Sequence, residues 1–154
     1  MDLGDLIRPG AILPSVKAMS KRQVFQELAA KGAKITGLDE RQIFETLLDR
    51  EKLGSTGIGD GIAIPHGKLA GVDRIHGAMA RLSQPIDFES LDGQPVDLVF
   101  LLLAPEDAGA DHLKALARIA RVLRVPGVAD RLRSTSDATA LHNALSQSAT
   151  PNAA

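Results

Sequence analysis

The 154-residue chain has no cysteine, no tryptophan and no tyrosine. Without cysteine it can form no disulfide, thiolate nucleophile or cysteine-ligated zinc site, a composition that suits a reducing compartment. Four phenylalanines are the only aromatic side chains, so the core must be aliphatic. A surface that stacks bases on aromatic rings is excluded. An excess of charge of either sign is missing too: 18 Lys and Arg stand against 19 Asp and Glu, a formal net charge of −1. Nothing therefore draws the chain toward nucleic acid or an anionic membrane surface. Long apolar runs are absent: the longest, Leu98 to Ala104, is far too short to span a bilayer. The opening "MDLGDLIRPG" has no basic segment followed by an apolar one, so no signal peptide is expected. These absences predict a cytoplasmic protein with no nucleic-acid partner and no direct membrane insertion.

A hydrophobic fraction of 44% allows a sizeable core, and the length suits one domain. No repeat or low-complexity linker divides the chain. The expected domain covers 1–147, followed by a disordered tail over 148–154, where the sequence is small, polar and aperiodic. "GAILPSVKA" reads as a short strand. Ser20, with Gln23 three residues on, predicts a capped helix start. That helix has Val24, Phe25, Leu28 and Ala29 on one face and ends at Gly32 or Gly37. Asp39 predicts the cap of a second helix, with Ile43, Phe44, Leu47 and Leu48 inward and Arg50 at its end. Strands are expected at Ile62–Ile64, at Ile75–Leu82 and, after a turn at Asp92-Gly93, at Val96–Leu103, the last fully buried. A third helix is expected over Asp111–Leu123, with Leu113, Leu116, Ala117 and Ala120 along it. A fourth should start at Pro126, and a last one should be capped by Ser136. Interleaved helices and strands predict an α/β (α+β) sandwich with a mixed sheet.

The most unusual stretch is "REKLGSTGIGDGIAIPHGK", Arg50 to Lys68. Glycines 54, 57, 59, 61 and 67 crowd a short apolar run that ends in Pro65 and His66. It is not a P-loop: Gly61 to Gly67 encloses five residues where four are needed, and Leu69 follows the lysine. The dinucleotide fingerprint fails as well, because Ile62 occupies the place of its third glycine. Pro65 and Gly67 also prevent the stretch from opening a helix. What is left is an imidazole at a strand end in a glycine-lined hollow. Neutral imidazole is a competent nucleophile near neutral pH. Backbone N–H groups around Gly57 and Gly67, the hydroxyls of Ser55 and Thr56, and the Lys68 ammonium could all meet an anion. These are the parts of a phosphoryl-acceptor site.

The same string resembles the phosphorylation motif of bacterial phosphotransferase-system IIA proteins of the fructose/mannitol type, most closely the nitrogen-regulatory branch. "LDGQPVDLVFLLLAP" and "DHLKALARIARVLR" match that family in the same order, and the likeness runs from about Leu6 to Leu145. The resemblance implies a mixed sheet flanked by helices on both faces. It implies that His66 takes a phosphoryl group from an HPr-like phosphocarrier, itself charged by a phosphoenolpyruvate-dependent enzyme I. His112 and Arg50 match the family's second active-site histidine and its arginine. It further implies regulated targets such as transporters or sensor kinases, and the alternative is a stand-alone sugar-transport IIA that passes phosphate to a IIB protein.

Physical chemistry fits these assignments. A histidine at a helix start sits where anions are favoured, and an arginine offers a planar fork to phosphate oxygens. Positioned donors do most of the work in phosphoryl transfer, so no cofactor or metal is expected. Taken without the resemblance, His112 could equally be a buried helix-start residue, Arg50 a helix C-terminal cation and Lys68 a solvated one. A metal-dependent hydrolase using His66 and His112 as ligands finds no H-E-x-x-H or comparable spacing. His76 and His142 are expected to be solvated or to pack.

Overall fold

The structure, a computed structural model, describes residues 3–149, with side chains through residue 146. The chain opens with a one-turn helix α1 (Leu3–Leu6), a 3-10 turn (Pro9–Ala11) and strand β1 (Ile12–Val16). Helix α2 (Lys21–Thr36) starts where expected: Ser20 Oγ accepts from the Gln23 N–H at 3.2 Å. The Gln23 side chain reaches back to the Met19 N–H rather than to that of Ser20. Gly37, at φ 77°, ends the helix in the left-handed conformation that favours glycine. Gly32 lies inside it instead, where a Cβ would press on Leu103 at 3.1 Å. Asp39 Oδ2 caps α3 (Glu40–Lys52) through the Gln42 N–H.

Three short segments then feed the sheet, β2 (Gly57–Gly59), β3 (Ile62–Ala63) and β4 (His66–Leu69), followed by the long strand β5 (His76–Ile86). The long strand β6 (Val96–Pro105) is followed by helices α4 (Ala110–Leu123), α5 (Val128–Arg133) and α6 (Ala138–Ala149). The sheet order is β1-β5-β6-β3-β2, with β4 also on β6. β5 runs antiparallel to β6, β1 parallel to β5, and β3 and β4 both parallel to β6. β3 and β4 keep one register along β6, Ile62 opposite Leu98 and His66 opposite Leu102. They form one strand line interrupted at Ile64-Pro65, where proline has no N–H for a ladder.

β6 separates two cores. Val99, Leu101 and Leu103 pack with Phe25 and Leu28 of α2 and with Ile43 and Leu47 of α3. Leu98, Phe100 and Leu102 pack with Ile119 of α4, Leu132 of α5 and Leu141 of α6. A strand buried on both faces reads as a continuous apolar run, which is what "VFLLLA" is. The mixed sheet with helices on both faces thus matches the expectation.

Several local readings need correction. The last helix is capped by Asp137, whose Oδ2 accepts from the Ala140 N–H at 2.9 Å, and not by Ser136. Pro126 and Gly127 make a turn, and α5 starts only at Val128. Leu113 points outward, 67% exposed, because the buried stripe of α4 runs through His112, Ile119, Val122 and Leu123. Helix α6 continues to Ala149, past the expected start of the tail at 148. The rest of that tail, 150–154, lies outside the described residues. Among the described residues no helix is long and apolar enough to cross a membrane.

Candidate functional site

The break at Ile64-Pro65 sets the geometry of His66. Ile64 lies between β3 and β4 and points its carbonyl at the His66 ring. The two are 2.8 Å apart, His66 Nδ1 to Ile64 O. A carbonyl only accepts, so Nδ1 carries the proton and the Nε2 lone pair is free. Burial pushes the His66 pKa below 6.5, aided by the Arg50 charge and opposed by the Ile64 bond and by Glu51. The half-buried ring is therefore neutral at cellular pH, with its nucleophilic nitrogen facing away from the backbone.

His112, from the first turn of α4, completes the pair. Its ring centroid is 5.2 Å from that of His66, at an interplanar angle of 66°. It is only 6% exposed, and its Nε2 is a buried polar atom without a hydrogen-bond partner. Buried polar atoms are nearly always satisfied, so an orphan next to a nucleophile is a poised contact for a third group. Its pKa is lowered by burial and then by the charges of His66 and Lys68.

Arg50 lies in the last turn of α3, and its Nη1 donates to the Gly54 carbonyl at 2.9 Å. That bond holds the loop leading to β2 and places the guanidinium where its charge reaches His66. Lys68 is exposed on β4. The structure thus brings His66, His112, Arg50 and Lys68 to one place. Among the described residues no three His, Asp or Glu side chains converge as a metal-ligand group.

The expected phosphate donors from the loop are engaged elsewhere. Ser55 Oγ donates to the Phe88 carbonyl at 3.0 Å and accepts from the Gly57 N–H at 3.1 Å. Thr56 Oγ1 donates to Glu51 at 2.6 Å. Gly57 and Gly67 are needed for close packing. A Cβ on Gly57 would fall on the Ser90 hydroxyl, and one on Gly67 would lie 2.8 Å from Thr46 Cγ2 of α3.

Sequence reasoning missed Glu51. Its side chain is 5% exposed and pairs with Lys21 at 3.0 Å. It also accepts from the Thr56 N–H at 3.1 and 3.2 Å. Thr56 in turn accepts the Ile64 N–H on its carbonyl at 2.9 Å. A chain of bonds runs from Lys21 through Glu51, Thr56 and Ile64 to His66 Nδ1. A glutamate in the last turn of a helix, with a threonine five residues on, was the available signal. His76 and His142 lie apart: His142 Nε2 donates to the Gly4 carbonyl at 2.8 Å, a packing role.

The family model for the phosphoenolpyruvate-dependent sugar phosphotransferase system, EIIA 2, matches residues 5–148. The chain belongs to this family. Within the EIIA type-2 family it falls in the nitrogen-regulatory branch. It is 63% identical over 145 residues to a nitrogen regulatory protein of Bradyrhizobium diazoefficiens, an alignment covering 94% of this chain and 95% of that one. The crystal structure of the nitrogen regulatory protein IIA-Ntr from Neisseria meningitidis superposes with a TM-score of 0.87 at 36% identity, covering 93% of this chain and 98% of that one. Enzyme IIA-Mtl of Escherichia coli, in a complex with phosphorylated enzyme IIB-Mtl, shares the fold. Its TM-score is 0.76 at 20% identity, with 90% and 95% of the two chains covered.

Proposed function

We propose that this EIIA type-2 protein accepts a phosphoryl group at His66 Nε2 from an HPr-like phosphocarrier in the cytoplasm, and that its phosphorylation state regulates partner proteins such as transporters or sensor kinases. The observation that carries the reading is the His66–Ile64 bond, which frees Nε2. In the step the Nε2 lone pair forms the new N–P bond. The bond from phosphorus to the carrier breaks, and the carrier keeps that electron pair. Arg50, Lys68 and the orphaned Nε2 of His112 supply positive or donor groups for the phosphoryl oxygens. The surroundings suit a protein donor. Leu53, three residues beyond Arg50, is 84% exposed and Leu113, next to His112, is 67% exposed. Exposed apolar side chains beside polar groups favour docking of another protein surface. The deciding experiment is incubation with enzyme I, the HPr-like carrier and phosphoenolpyruvate, followed by intact mass and site mapping.

The second reading is a stand-alone sugar-transport IIA that passes its phosphate on. The association of IIA-Mtl with phosphorylated IIB-Mtl favours it. Transfer from the phosphorylated protein to a fructose- or mannitol-type IIB distinguishes the two, because a regulator has no need of that acceptor.

Arg50→Ala should slow phosphoryl acceptance by about 10²-fold, by analogy with the loss of one transition-state donor. Arg50→Lys, which keeps the charge and loses the fork, should fall between. Stopped-flow transfer from the carrier measures both, and a wild-type rate for Arg50→Ala would reduce Arg50 to a loop clamp. His112 should respond to the product. A phosphoryl group on His66 brings a charge of roughly −1.5 to −2, taking other phosphorylated side chains as the guide. A nearby anion favours imidazolium, so the His112 pKa should rise on phosphorylation, and by more than that of the more distant His76. NMR titration of the four histidines, with and without phosphate, measures this. An unmoved His112 would mean that the two rings do not share a site.

A further inference from the structure

A second charged concavity opens beside the N-terminal segment and is lined from both cores, by Ala11 of one and Leu6 of the other. It is bounded by the segment after α1, the C-terminal half of α2 and the start of β5, and encloses about 650 Å³. Neither His66 nor His112 lines it. Arg8, Lys31, Lys34 and Arg74 do, against a single lining carboxylate, Asp5. In a chain with a net charge of −1, that is a local excess of three positive charges. His76 also lines the cavity. Arg8 and Arg74 line the same cavity as this ring, and Asp73 is 3.7 Å from its Nε2.

The cations are largely unspent. Lys31 Nζ donates to the Gly10 carbonyl at 3.0 Å, which fixes it across the cavity mouth. Arg8, Lys34 and Arg74 have no carboxylate within salt-bridge distance among the described residues. The remaining wall is apolar, from Leu6, Ala11, Ile35 and Ile75. A neighbouring cavity of about 660 Å³ shares Leu6, Arg74 and Ile75. There Arg74, Lys114 and Arg118 face Asp73, Asp107 and Asp111, so that cavity carries no excess of positive charge.

We propose that this cavity is a binding site for a nucleoside polyphosphate. Two guanidinium forks and two ammonium groups match a chain of phosphates. The aliphatic wall matches an attached organic body, and the volume lies in the range of small-molecule sites, about 300–1,000 Å³. Nucleic acid is a poorer fit, because the charge is confined to one concavity and not extended along a surface. The site is separate from the phosphoryl acceptor. Gly77 and His66 both pair with Leu102 from opposite sides of β6, so the two sites are two strand spacings apart, on the order of 10 Å along the sheet. The assignment is independent of the phosphoryl-acceptor reading.

The test is an NMR titration of the unphosphorylated protein with ATP, ADP, pyrophosphate and adenosine, in metal-free, phosphate-free buffer at constant ionic strength. ATP and ADP should shift the His76 ring signals and the backbone amides of residues 8, 31–35 and 74–77 saturably, with Kd at or below about 1 mM. Adenosine should not. The Arg8→Ala, Arg74→Ala double variant removes two exposed side chains and should retain its melting temperature. It should weaken ATP binding about tenfold or more through loss of both forks. Three results would each overturn the proposal: no saturable shift with either nucleotide, shifts confined to His66 and His112, or unchanged affinity in the double variant. Pyrophosphate binding as tightly as ADP would also overturn it, since the organic body would then contribute nothing.

Discussion

His66→Ala protein is expected to gain no mass on incubation with enzyme I, the HPr-like carrier and phosphoenolpyruvate, while its melting temperature stays close to that of wild type. The ring is half-buried and makes one side-chain hydrogen bond, to Ile64, so little packing is lost. The chemistry is lost because the Nε2 lone pair that would form the N–P bond goes with the ring. In wild-type protein the phosphate should sit on Nε2 and not Nδ1, because Nδ1 donates to the Ile64 carbonyl. Phosphorus–nitrogen couplings distinguish the isomers. A pH profile adds a further check. Burial holds the His66 pKa below 6.5, so the rate of acceptance should fall with pH only as the ring protonates, with its half-point below 6.5. Phosphate on Nδ1, or full acceptance by His66→Ala, would refute the assignment.

Glu51→Ala should be the most destabilising single change in the site. The Glu51 carboxylate is almost fully buried against Lys21 and both Thr56 donors. Its removal leaves the two Thr56 donors without their partner and the Lys21 ammonium with only the exposed Glu89 carboxylate, at 3.3 Å. Breaking a buried pair from one side costs about 3–5 kcal/mol, equivalent to a fall in melting temperature of about 10 °C for a domain of this size. Arg41→Ala provides the contrast. It removes an exposed pair with Glu45, side chains 84% and 59% exposed, and should change stability little. Glu51→Ala should also slow phosphoryl acceptance, because the Thr56–Ile64 bond that aims the His66 acceptor carbonyl loses its anchor. Thermal melts and transfer kinetics measure the two effects. A variant as stable as wild type would show that the buried carboxylate contributes nothing beyond filling space.

These expectations also show how much of the molecule could be read beforehand. The helix caps at Ser20 and Asp39 and the central strand were legible because each is a local pattern with one physical cause. The capping oxygen lies three residues before its donor, and a strand buried on both faces has no polar alternation. The pairing of His66 with His112 came from resemblance and from residue type, since no local rule brings residues 46 positions apart together. The loop hydroxyls of Ser55 and Thr56 were read as anion donors because their competing acceptors, the Phe88 carbonyl and Glu51, are tertiary contacts. Asp137 displaced Ser136 as a cap for a related reason: either side chain suits the position, and only the path of the chain out of α5 selects between them.

The bond between His142 and the Gly4 carbonyl bears on the architecture of larger proteins. Helices α1 and α6 lie against each other, so the first and last helices of the domain are neighbours. A domain arranged in this way can be spliced into a surface loop of a host protein without forcing the host's two halves apart. It should equally tolerate circular permutation, with the old ends joined by a short flexible linker and new ones opened at the exposed Asp92-Gly93 turn.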